Sequence, residues 1–133
     1  MKKLLFSTSV IVGLAVLLLG FKTPSTVNTD NSSTVNKVII SSNVQKVIDK
    51  SCFGCHNMET KNEKAKSKLM FESLDTLKVA KLVGKLTEIS DEVREDKMPP
   101  KKFLQYNPEA TLSPAEKDLL INWADSTANA YLE

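Results

Sequence analysis

Residues Cys52-Phe53-Gly54-Cys55-His56 constrain this chain more than any other stretch, because they gather both of its cysteines and its only histidine within five positions. Two thiols two residues apart, followed at once by an imidazole, match the spacing of c-type haem attachment. The thiols become thioethers to the porphyrin's vinyl groups, and the imidazole becomes the proximal ligand of the iron. A structural zinc site needs four ligands of this kind and the motif supplies three, so zinc requires a carboxylate or a second chain. A thioredoxin-like dithiol belongs beside alternating strand and helix patterns, whereas the flanking segments read as helix and loop. The motif therefore assigns Cys52 and Cys55 to one covalent haem and His56 to its iron. A haem-free redox or interaction module, with a Cys52–Cys55 disulfide, is the alternative. That bridge closes a tiny loop and adds little stability.

The N-terminus bears on where such chemistry happens. Lys2 and Lys3 precede an uncharged, mostly apolar run from Leu4 to Phe21, the charged start and hydrophobic middle of a secretory signal. Residues 1–21 read as a signal peptide or, since the run is long and no clear A-x-A site follows, an uncleaved membrane anchor. Residues 22–41, rich in Ser, Thr and Asn, read as a polar linker, and 42–133 as the domain. From Ser42 onward fourteen basic residues face fifteen acidic ones. A near-neutral domain of this kind is a poor nucleic-acid binder, which depends on concentrated basic surface. Aromatic residues make up only 6% of the chain. The core is correspondingly thin for a small domain, and a covalently held porphyrin adds apolar mass to it.

Hydrophobic spacing predicts an all-α domain. Val44, Val47 and Ile48 follow Ser and Asn residues suited to a helix cap, which predicts a short helix ending near the cysteines. Asn57 to Lys68 is polar and dense in Lys and Glu, a loop or solvated helix. Leu74, Leu77, Ala80, Leu82, Val83, Leu86, Ile89 and Val93 recur at threes and fours, predicting one or two helices across 74–95. Gly84 lies in the middle, where a bend, a break or close approach to the porphyrin are all admissible. Met98-Pro99-Pro100 ends the helical signal. Ser113, Pro114 and Glu116 spell a capping box at the start of a last helix. Its expected apolar stripe is Ala115, Leu119, Leu120, Trp123, Thr127 and Tyr131, with Trp123 as core.

The iron's second axial position separates electron carriers from sensors and enzymes. No second histidine exists. Met58 is too close to His56 along the chain to reach the opposite face of the ring, and Met70 sits in a segment with no evident stiffening. Met98 leaves a helix and precedes two prolines, so it is the candidate ligand; the alternatives are a gap-filling core methionine, with a lysine or water in the site.

Taken in order, Cys52, Cys55 and His56 after a short helix, Met98-Pro99-Pro100 downstream, and Leu112-Ser113-Pro114-Ala115-Glu116 leading to Trp123 resemble a small monohaem c-type cytochrome. The stretch from Met98 to Trp123 is similar to a family of exported bacterial haem-binding domains. The resemblance covers roughly residues 42–130. It implies a cytochrome-c-like helical fold around one haem c, with Cys52 and Cys55 as attachment points and His56 and Met98 at matching axial positions. Two positions depart from the family: the segment after His56 lacks a tyrosine and tryptophan cluster, and Asn107 stands where members often carry histidine.

The function expected from this reading is one-electron transfer in the periplasm, without bond chemistry on a substrate. The expected protein is a monomer, soluble or tethered to the inner membrane by its N-terminal segment, exchanging electrons with larger redox proteins. Lys97, Lys101 and Lys102, which flank the strap, are candidates for steering an acidic partner. A haem-based small-molecule sensor or peroxidase-like protein with a displaceable Met98 is the competing function.

Overall fold

The computed structural model describes residues 37–133, and the fold among them is wholly helical, with no β-strand. Five α-helices follow in order: α1 (Ser42–Ser51), α2 (Glu63–Lys68), α3 (Val79–Arg94), α4 (Lys101–Leu104) and α5 (Pro114–Ala130), with 3-10 turns at Phe71–Thr76 and Pro108–Ala110. The all-α expectation therefore holds. The expected signal or anchor segment, and the linker up to residue 36, lie outside the described residues. Among the described residues no helix is long and apolar enough to cross a membrane.

The core is the α3–α5 pair with α1 laid against α5. Helix α3 contributes Leu82, Leu86, Ile89 and Val93, and α5 contributes Leu120, Trp123, Ala124 and Ala128, all buried. Each fully buried Leu, Ile or Val of this seam contributes roughly 1.5–3 kcal/mol. Truncating Leu86 to alanine would cost about 2–5 kcal/mol. The buried stripe of α5 differs from the expected one at its ends. Ala115 is exposed, while Ala124 and Ala128 are buried, because the positions that return to one face after Leu120 are 124 and 128. Their small side chains give α3 room.

The capping box forms as the sequence predicts: the Ser113 hydroxyl accepts the Glu116 N–H at 3.3 Å, and the Glu116 carboxylate accepts the Ser113 N–H at 2.8 Å. Ser41 caps α1 by accepting the Val44 N–H. Helix α3 begins only at Val79, so Leu74 and Leu77 lie outside it. Residues 71, 74 and 77 share a spacing of three, and the 3-10 turn, in which i and i+3 eclipse, aligns Phe71 with Leu74 and buries both. Gly84 neither bends nor breaks α3. It is exposed, and a Cβ there meets no atom within 4 Å.

The last five residues read from the sequence as linker are packed against the domain instead. Val38 is in the core and donates its N–H to Asp75 Oδ1 at 2.7 Å. Trp123 Nε1 donates to the Ile39 carbonyl at 3.0 Å, and the Tyr131 hydroxyl donates to the Lys37 carbonyl at 3.1 Å. The sequence shows Ser and Thr before this stretch but hides the partners, which lie 37 to 94 positions away.

Candidate haem centre

Helix α1 delivers the cysteine motif. Its last turn closes with the Cys52 N–H donating to the Ile48 carbonyl at 2.8 Å. The chain then turns back on itself: the Cys55 and His56 N–H groups both donate to the Cys52 carbonyl, at 3.0 and 3.1 Å. Asn57 braces this turn, donating from Nδ2 to the Phe53 carbonyl and accepting the Glu59 N–H at Oδ1. Cys52, Cys55 and His56 are thus brought together in one turn, each half-buried. Both thiols are free rather than bridged. Burial, and secondarily the neighbouring Cys55, pushes the Cys52 thiol up to about 12.

His56 is fixed by the segment that follows α2. Its Nδ1 lies 3.1 Å from the Leu69 carbonyl oxygen. A carbonyl only accepts, so Nδ1 carries the proton and Nε2 presents its lone pair. The His56 carbonyl in turn accepts the Phe71 N–H at 3.2 Å, and Glu72 Oε1 accepts the Met58 N–H at 3.2 Å. Three hydrogen bonds therefore tie residues 56–58 to residues 69–72. The ring nitrogen left free is the one a metal would take, and a metal-binding histidine commonly donates its other N–H to a carbonyl in this manner.

Met98 stands on a separate strap between α3 and α4. Helix α3 ends in a Schellman turn: the Asp96 N–H donates to the Val93 carbonyl at 3.2 Å and the Lys97 N–H to the Glu92 carbonyl at 2.9 Å, with Asp96 at φ 55°. Glycine is the usual residue in that left-handed position, and aspartate is one of the few others that tolerate it. The Met98 N–H also donates to the Glu92 carbonyl, at 3.1 Å. An ion pair between Lys117 and Asp96 ties the head of the strap to α5. Met98 is half-buried, Pro99 is buried, and the peptide bond between them is cis. Of the other methionines in the described residues, Met58 is 57% exposed, and Met70 is half-buried in a groove beside Lys66 and Lys68.

Among the described residues no group of three or more His, Cys, Asp or Glu side chains converges as a metal site, so Cys52, Cys55 and His56 do not form a zinc-type cage. They fit a different group. Two unbridged thiols beside an imidazole with its Nε2 free, and a thioether on a separate braced strap, are side chains of the kinds that hold haem. The contributions that the sequence concealed are the Leu69 carbonyl, Asn57 and Asp96. A backbone carbonyl has no sequence signature. Asn57 and Asp96 are turn-forming residues directly after a ligand motif and after a helix, which was a usable signal.

A family model described as haem-binding domain matches residues 58–126, more than half of the chain. The chain belongs to the haem-binding domain family. The matched region begins two residues past His56 and includes the Leu69 carbonyl, the Met98 strap and most of α5. No curated protein and no solved structure matches the chain. As a member of the haem-binding domain family the protein has haem as its cofactor, and the match agrees with the resemblance read from the Met98 to Trp123 stretch.

Proposed function

We propose that this haem-binding domain would hold one haem c through thioethers at Cys52 and Cys55, with His56 Nε2 and Met98 Sδ as the residues that would bind its iron, and acts as a one-electron carrier in the periplasm. The observation that carries the proposal is the hydrogen bond from His56 Nδ1 to the Leu69 carbonyl at 3.1 Å, which fixes the tautomer and aims the remaining nitrogen. Bound there, the haem supplies one-electron exchange between ferric and ferrous iron. The chain's own residues do the rest. The Leu69 carbonyl raises the basicity of the imidazole, and the bracing of residues 56–58 keeps the ring from turning. A Met98 thioether would raise the reduction potential relative to a second imidazole and would exclude gases and peroxide from the iron. His56 is the only histidine, so no second imidazole is available for acid–base work, and the reading assigns no catalytic residue.

The proposed carrier is a monomer, exported by its N-terminal segment and exchanging electrons with larger redox proteins. Spectra of the purified holoprotein test the ligation. The proposal expects the long-wavelength charge-transfer band of thioether-ligated ferric iron and no carbon monoxide adduct of the reduced form. A readily formed adduct would instead favour a sensor or a peroxidase-like protein.

A further inference from the structure

The cations of this domain are distributed unevenly in a way that the chain's near-zero net charge conceals. Residues 61–85 hold seven lysines against three acids, and the rest of the described chain carries the balancing negative excess. Elsewhere four of the eight cations are paired, Lys50 with Glu116, Arg94 with Asp91 and Asp125, Lys97 with Glu95, and Lys117 with Asp96, while Lys37, Lys46, Lys101 and Lys102 form no ion pair among the described residues. Within 61–85 only Lys85 has an acidic partner, Glu88. Lys61, Lys64, Lys66, Lys68, Lys78 and Lys81 form no ion pair among the described residues.

Two of the three acids in the same stretch are engaged with backbone groups. Glu72 accepts the Met58 N–H and Asp75 accepts the Val38 N–H. Glu63 is left as the acid on the face of α2.

Lys64 and Lys68 lie four apart on α2, and Lys81 and Lys85 four apart on α3, so each pair shares a face of its helix. Lys66 and Lys68 of α2 and Lys85 of α3 line a single groove of about 140 Å³, whose apolar floor includes Leu69 and Met70. The floor residue Leu69 is the one whose carbonyl holds the His56 ring. Lys66 and Lys68, both unpaired, therefore line the same groove as the residue in hydrogen-bond contact with the proposed iron ligand. Lys97, one of the strap lysines that the sequence offered for steering, is already neutralised by Glu95.

We infer that the lysine face formed by α2 and the first half of α3 is the docking surface for an acidic redox protein, which exchanges one electron with the haem. The inference rests on the electron-carrier reading above. Charge complementarity chooses the partner: the six unpaired ammonium groups between Lys61 and Lys81 attract an acidic surface, speed encounter and orient it, and do so less as salt rises.

The experiment uses the full holoprotein with two one-electron reductants, a reduced acidic [2Fe–2S] ferredoxin and the cationic hexaammineruthenium(II) complex. Each is oxidised by one electron as one ferric haem becomes ferrous. Lys64→Glu/Lys68→Glu, and independently Lys78→Glu/Lys81→Glu, should lower the second-order rate constant with ferredoxin on the order of tenfold at low ionic strength and flatten its salt dependence. The ruthenium rate should rise in the same variants. Lys101→Glu/Lys102→Glu should leave the ferredoxin rate within about twofold. Unchanged ferredoxin rates in both lysine-face variants, or a loss confined to Lys101→Glu/Lys102→Glu, would overturn the docking surface while leaving the carrier reading intact. A haem reduced by neither reagent would overturn the carrier reading and the docking surface with it.

Discussion

Replacing Lys50 by methionine tests how the turn that bears the cysteines is anchored. Lys50 lies in the last turn of α1, two residues before Cys52, and its Nζ donates to Glu116 Oε1 at 2.6 Å and to the Thr111 carbonyl at 3.1 Å. It thereby ties the end of α1 to the capping box of α5. Glu116 feels this strongly: the Lys50 hydrogen bond, followed by those from the Ser113 N–H and hydroxyl, lowers its carboxyl from 4.5 to about 2. The side chains of Lys50 and Glu116 retain 32% and 27% of their exposure, so water screens the pair. Lys50→Met should therefore cost about 1 kcal/mol at neutral pH, the upper range for exposed ion pairs. For a domain of this size that is roughly 4–8 °C in Tm.

The pH dependence has a definite sign. A carboxyl whose folded-state pKa is depressed contributes stability in full above its unfolded value and loses it as pH falls through the folded value. The difference between the parent and Lys50→Met should therefore be complete above about pH 4.5 and shrink as pH falls toward 2. Urea melts of both proteins at neutral pH and near the acid limit measure it. A gap of the same size at both pH values, or no gap at neutral pH, would refute the assignment of Glu116 as the residue through which Lys50 acts.

Three further substitutions probe separate parts of the account. Gly84→Ala should stabilise the domain by about 1 kcal/mol in thermal melts, because Gly84 lies on the solvent face of α3 with no atom near a new Cβ; a loss of stability or a shifted haem spectrum would show that the porphyrin or another group approaches that face. Ser90→Ala should gain about 1 kcal/mol, since the Ser90 hydroxyl is wholly buried without a hydrogen-bond partner, and a destabilised variant would show that the hydroxyl is used. Met98→Ala should keep the covalent haem, lower the reduction potential and make the ferrous form bind carbon monoxide; unchanged spectra and potential would remove Met98 as the ligand.

Most of the helical frame is legible in the sequence because it depends on local rules. The Ser113–Glu116 box, the Ser41 cap and the spacing of Leu82, Leu86, Ile89 and Val93 each act within a turn or two. The expectations that the structure changed depend on distant partners. Residues 37–41 look like linker until Asp75, Trp123 and Tyr131 are seen to hold them. The period of three at Phe71, Leu74 and Leu77 suits a 3-10 turn as well as an α-helix. The cysteine and histidine motif was visible because its residues are contiguous, whereas the Leu69 carbonyl that orients His56 is 13 positions away and carries no side-chain signature. Charge pairing behaves in the same way. The sequence presents Lys64 and Lys97 as alike, and only the fold separates the unpaired cation from the paired one.

Intact-mass analysis of the chain purified from a host competent in c-type maturation, run under denaturing conditions with acidified acetone extraction, bears most directly on the covalent haem. The account predicts one haem-sized increment that resists extraction and is lost in Cys52→Ser/Cys55→Ser. A chain of unmodified mass, or a haem that extracts completely, would contradict attachment through Cys52 and Cys55.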